Sequence, residues 1–200
     1  MEAREIYISP EEYLAWEREA DFKSEYVNGR IYAMAGASRA HNRITSNAHA
    51  FLFAQLRGGR CEPFMADMRL KVRATGLYAY PDVMVACDGA RYESDGLDTL
   101  LDPTVLIEVL SPSTEAWDRT GKFAHYRYLP SLREYLLIAQ DRMHVEVFAR
   151  RGEQWLFTEF NRPDEIVRLE SIGCDLALSD LYERVDLPDN PTPWPNQPPR

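Results

Sequence analysis

The stretch "YPDVMVACDG" (80–89), followed a short way on by "TVLIEVLSPST" (104–114), decides the fold. Each is an apolar, β-branched run of the kind that forms a buried strand. Each also carries a carboxylate: Asp82 stands at the entrance of the first run, just after the restricting Pro81, and Glu108 interrupts the second. Taking an ionised carboxylate out of water is very unfavourable unless a cation, a metal or several hydrogen bonds replace its hydration. If the two strands are neighbours, Asp82 and Glu108 can converge on one divalent cation, because Mg²⁺ is bound through one or two carboxylates plus water and substrate phosphate. Taken singly, each residue has an ordinary reading, a proline-aspartate turn or a strand glutamate beside an arginine.

Working outward, "SPEEYLAWEREA" places Ser9 as N-cap, Pro10 at the first helical position and Glu12 as the partner of a capping box, which predicts a first helix. In "EYVNGRIYAMAG" the Asn28-Gly29 pair supplies the positive φ angles of a tight hairpin, with Glu25 at its beginning. Ile44, Ala48, Phe51, Leu52 and Leu56 fall on one face of a second helix that Gly58-Gly59 can stop. "FMADMRLKV" alternates and reads as a half-buried strand with Asp67, Arg69 and Lys71 on its charged side. The runs "EYLLIA", "HVEVFAR" and "WLFTEF" continue the strands, and a third helix fits "TEAWDRTGKFAHYRYL". The order of elements describes a mixed α/β, or α+β, core and not a regular βαβ repeat.

The chain has 200 residues, 45% hydrophobic and 28% charged, which makes a single domain over residues 1–186 the expectation. Residues 187–200 hold six prolines and read as a flexible tail. No stretch is apolar enough to cross a bilayer and the start lacks a signal-peptide pattern, so the expected location is cytoplasmic. The three cysteines, Cys61, Cys87 and Cys174, are odd in number and far apart, which suggests reduced structural thiols. The net charge of −9 opposes loose attraction to DNA, but Arg39 to Arg73 carries a local balance of +5. That stretch could face a phosphate backbone, or be ordinary solvated charge.

Taken together, "YPDVMVACDG" and "VLIEVLSPSTEAWDRTGKFAHYRYLPSLREYLLI", with Asp118, Lys122 and Tyr126 after "EVLSPST", resemble the Uma-type restriction endonucleases of the PD-(D/E)XK nuclease superfamily. The resemblance runs from about Ser9 to Phe160. It implies a restriction-endonuclease-like core, a central mixed β-sheet flanked by α-helices. It further implies a site in which Asp82 and Glu108 bind Mg²⁺ or Mn²⁺ and a DNA phosphodiester is hydrolysed.

In the superfamily pattern a lysine follows the acidic residue by two positions. Here that position is Leu110, and Lys122 is the compensating candidate, one helical turn beyond Asp118. An exposed Asp118–Lys122 ion pair is the competing reading. Glu25 resembles an additional acidic residue of the superfamily site, and His41 matches a histidine frequent in the family. Arg69 and Lys71 are candidates for DNA backbone contacts. A homodimer would suit cleavage of both strands. The alternative function is a nuclease-like module that binds nucleic acid or protein without catalysis.

Overall fold

The computed structural model describes residues 7–188 apart from 35, 66 and 94–98. The expected tail therefore lies almost wholly outside the described residues.

Helix α1 (Pro10–Glu19) begins on the expected capping box: Ser9 Oγ accepts from the Glu12 backbone N–H, and Glu12 Oε2 accepts from that of Ser9 at 2.8 Å. Strands β1 (Ser24–Val27) and β2 (Arg30–Ala33) form the hairpin, with Asn28 and Gly29 at φ 48° and 82°. Helix α2 (Arg39–Leu56) is capped by Ser38 and buries Ile44, Ala48, Leu52 and Leu56. Then come β3 (Cys61–Met65), β4 (Arg69–Val72), β5 (Leu77–Ala79), β6 (Val83–Cys87), β7 (Thr99–Leu100) and β8 (Val105–Leu110). A π-helical stretch, Trp117–Lys122, runs into α3 (Phe123–Tyr126). The chain continues through β9 (Glu134–Ala139), β10 (Val145–Arg151), β11 (Gln154–Phe160), β12 (Ile166–Leu169), β13 (Cys174–Ala177) and α4 (Leu178–Leu181).

The central sheet has six strands in the order β11-β10-β9-β8-β6-β3, with β8 and β9 parallel and the other neighbours antiparallel. Pro63 sits in β3, an edge strand, where a missing N–H costs no ladder bond. A second sheet runs β2-β1-β5-β4-β7. Side-chain alternation along β8 separates two cores. Val105, Ile107 and Val109 pack with α2, β12, β13 and α4, whereas Leu106 and Leu110 pack with Leu70 and Leu77 of the second sheet and with Tyr126 and Tyr135. By the same alternation Glu108 points to the side shared by the second sheet and α3.

Three expectations are corrected. "FMADMRLKV" is not one strand: the chain turns, with Met68 N–H bonded to the Met65 carbonyl, and β3 and β4 enter different sheets. The charged side of β4 is not open to solvent, because α1 and the Tyr13, Tyr26 and Tyr78 cluster lie over that sheet. The cysteines are not all reduced: Cys61 and Cys87 face each other in the β3–β6 register and form a disulfide, while Cys174 is free and buried. Their separation of 26 residues gave no hint of a pairing that only strand register creates. Among the described residues no helix is long and apolar enough to cross a membrane.

Candidate active site

Strands β6 and β8 are antiparallel neighbours with Val83 opposite Ile107. One step further along the same register, Asp82 comes opposite Glu108. Asp82 is anchored there, since its Oδ2 accepts the Val109 backbone N–H at 2.7 Å. Nε2 of His41, in the first turn of α2, lies 3.2 Å from the same oxygen. Asp82 and His41 are partly exposed and form the mouth of the site.

Behind them the site is closed. Glu25, Glu108, Asp118 and Lys122 are all buried, each under 8% exposed. Glu108 Oε1 accepts from Lys122 Nζ at 3.1 Å and from the Tyr126 hydroxyl at 2.9 Å. The same ammonium lies 2.9 Å from Glu25 Oε1 and 3.1 Å from Asp118 Oδ1. It is therefore shared by three carboxylates from three separate segments: β1, β8 and the π-helical stretch. The exposed-pair reading of Asp118 and Lys122 fails on burial.

Supporting contacts fix these groups. The Trp117 indole N–H donates to Glu25 Oε2 at 3.2 Å, and the Tyr135 hydroxyl donates to the Asp118 carbonyl at 2.9 Å. Gly121 is required by the close ring of Trp117: a Cβ there would lie 1.8 Å from the indole. Helical π-turns often mark functional sites, and this one lets Asp118 and Lys122 aim at a common point.

The electrostatics follow from burial among carboxylates. Burial alone pushes the Glu108 carboxyl well up; Lys122 opposes this, and Asp118, Asp82 and Glu25 reinforce it. Burial disfavours the Lys122 charge, but Glu108 and its acidic neighbours overcome it and hold the group well above its ordinary value. Lys122 is thus an ammonium and not a base at neutral pH. For His41, burial works against protonation, yet Asp82 raises its pKa on balance.

A divalent ion fits the chemistry of the donor set. Asp82, just before β6, and Glu108 on β8 offer hard oxygens on neighbouring chain segments, and among the described residues no hydrogen bond occupies Asp82 Oδ1 or Glu108 Oε2. Elsewhere, His144, Glu146 and Glu159 bring one ligand atom each within 4.8 Å of the others. Arg119 also pairs with Glu146 and supplies a cation there.

The remaining candidates lie apart. Arg69 is 2% exposed, with Nε bonded to Thr99 Oγ1 at 3.0 Å and Nη1 to the Tyr80 hydroxyl at 3.3 Å. Lys71 pairs with Glu93 and sits 4.9 Å from the centre of the Tyr78 ring. Both are satisfied within the second sheet, so neither presents a free charge to a phosphate backbone. Residue-level reading gave no role to Trp117, Tyr126 or Tyr135; the aromatic residues around "TEAWDRTGKFAHYRYL" were the available signal.

Comparison with known proteins bears on this geometry. Residues 10–179 match the model of the Uma2 family, described as "Putative restriction endonuclease". The chain belongs to the Uma2 family. Two uncharacterised proteins of Synechocystis sp. are similar over most of their length: slr1290 is 38% identical over 176 residues (88% of this chain, 91% of the relative), and sll1609 is 39% identical over 153 (76% and 86%). A crystal structure from Anabaena variabilis, described as "a putative nuclease belonging to DUF820", superposes with a TM-score of 0.72 at 22% identity, covering 88% of this chain and 97% of that one. The Uma2 match and this likeness agree with the restriction-endonuclease-like core expected of the chain.

Proposed function

We propose that this Uma2 protein is a metal-dependent endonuclease that hydrolyses DNA phosphodiester bonds, with Asp82 and Glu108 holding Mg²⁺ or Mn²⁺ and Lys122 assisting. The observation that carries the reading is Asp82, just before β6, bonded to the Val109 N–H beside Glu108 on β8, with the Lys122 ammonium on the Glu108 carboxylate. A bound divalent ion supplies a more acidic water and neutralises phosphate charge. The chain's own groups do the rest. Asp82 and Glu108 fix the ion's position, and each keeps an oxygen for it. His41 and the Val109 N–H orient Asp82, as outer partners orient metal ligands. Lys122, held protonated by its acidic neighbours, stabilises negative charge that builds up on the phosphoryl group. Glu25 positions Lys122 from the far side. The single domain over residues 1–186, the cytoplasmic location and a homodimer belong to the same proposal.

The test is cleavage of single- and double-stranded DNA with Mg²⁺, Mn²⁺ or a chelator, comparing wild type with Asp82→Asn and Glu108→Gln. Loss of a ligand should lower the rate by at least about a hundredfold. Cleavage that survives the chelator, or persists in either variant, overturns the assignment. Metal binding by calorimetry separates the enzyme from the non-catalytic module, which would show no Mg²⁺ or Mn²⁺ binding dependent on Asp82 and Glu108.

A further inference from the structure

The end of the central sheet away from Asp82 is lined by arginines. An open cavity of about 480 Å³ there is bordered by Arg60, Arg133, Arg150 and Arg151, against two acidic residues, Glu134 and Glu170. Cys87, at the far end of β6 from Asp82, also lines it. Glu134 begins β9, three residues before the position opposite Glu108. At about 3.3 Å per strand residue the cavity lies roughly 10–17 Å from the carboxylate site.

The acidic residues are already used. Glu134 accepts from both the backbone N–H and the hydroxyl of Ser171, and Glu170 pairs with Arg151 at 2.7 Å. Among the described residues no carboxylate comes within ion-pairing distance of Arg60, Arg133 or Arg150. Arg150 is nonetheless held still. Its Nη2 donates to the carbonyls of Arg127 and Leu129 at 2.7 and 3.0 Å, and its guanidinium stacks on Trp155 at 4.5 Å. Arg150 Nε and the Ser131 hydroxyl are buried and find no hydrogen-bond partner. Arg133 adds like charge beside Arg150. The disulfide of Cys61 anchors the neighbouring Arg60.

On a protein of net charge −9, Arg60, Arg133 and Arg150 without a carboxylate partner, gathered around one cavity, form a prepared anion site. Guanidinium groups match phosphate oxygens in paired hydrogen bonds, and the cavity volume suits a ligand the size of a nucleotide. We propose that this cavity binds a small phosphate-bearing ligand, an oligophosphate or a nucleotide, at a site separate from Asp82 and Glu108. The site stands independently of the nuclease reading.

Calorimetric titration of the full chain with tripolyphosphate and with ATP, in chelator and at low salt, tests it. The expected result is saturable one-to-one binding, about tenfold or more weaker in Arg60→Ala and in Arg133→Ala and unchanged in Asp82→Asn. Both arginines are exposed, so an unchanged melting temperature checks that the variants fold. Equal affinity for the two probes assigns recognition to the phosphate chain, and tighter ATP binding adds the nucleoside. The proposal is overturned by no saturable binding at millimolar concentration, by binding that both arginine variants retain, or by arginine-dependent binding of a DNA oligonucleotide alone. Loss of cleavage in Asp82→Asn with ATP binding intact keeps the two sites distinct.

Discussion

Lys122 is the residue on which the site balances. Three buried carboxylates share its ammonium, so removing it strands like charges in a closed space. Lys122→Met should therefore cost about 3–5 kcal/mol of stability as well as turnover, a loss that urea denaturation reads directly. Glu108→Gln removes one of those carboxylates, the acceptor of both Lys122 Nζ and the Tyr126 hydroxyl. The glutamine variant should be inactive and melt lower than wild type, because a buried ammonium loses a paired charge; an unchanged or raised melting temperature would contradict this electrostatic account. Glu146 adds a pH dependence. Burial alone would raise its pKa, but His144 and Arg119 lower it below 4.5. Its contribution is present above that value and fades as pH falls through the lower folded pKa, so Glu146→Gln should flatten the acid limb of stability.

At the scale of the element, the π-helical stretch ties the two halves of the site together. Gly121→Ala would drive a methyl into the Trp117 ring and with it disturb the indole bond to Glu25. The variant should lose activity and shift the tryptophan fluorescence, whereas Trp117→Phe, which keeps a ring but not the N–H, should cost only about 1 kcal/mol. Elements were legible where a local rule governs them. The Ser9 and Glu12 box, the Asn28-Gly29 turn and the apolar runs of β6, β8 and β9 each carry their signal in a few adjacent residues. The break of "FMADMRLKV" between sheets, the two-residue β7, and β12, β13 and α4 depend on tertiary partners and left none. Alternation in β4 correctly separated two faces, but nothing local says which face another element will cover, and so Arg69 and Lys71 were misjudged.

For the molecule as a whole, the Cys61–Cys87 bond closes a loop of 26 residues that contains β4 and β5, and it ties the edge strand β3 to β6. By chain entropy such a link contributes about 3 kcal/mol. Cys61→Ser with Cys87→Ser should lower stability by about that amount, and alkylation with mass spectrometry before and after reduction should count two newly accessible thiols. The candidate site was legible in part at this scale: the carboxylate pair stood out as charges within apolar runs. The meeting of Glu25 and Lys122, 97 positions apart, depends on the docking of one sheet against the other.

That meeting makes the ammonium a keystone whose supports arrive from opposite ends of assembly. Until the hairpin bearing Glu25 has settled against the layer bearing Glu108, the amine has incomplete company. Turnover should thus be the last property to return during refolding, later than circular dichroism.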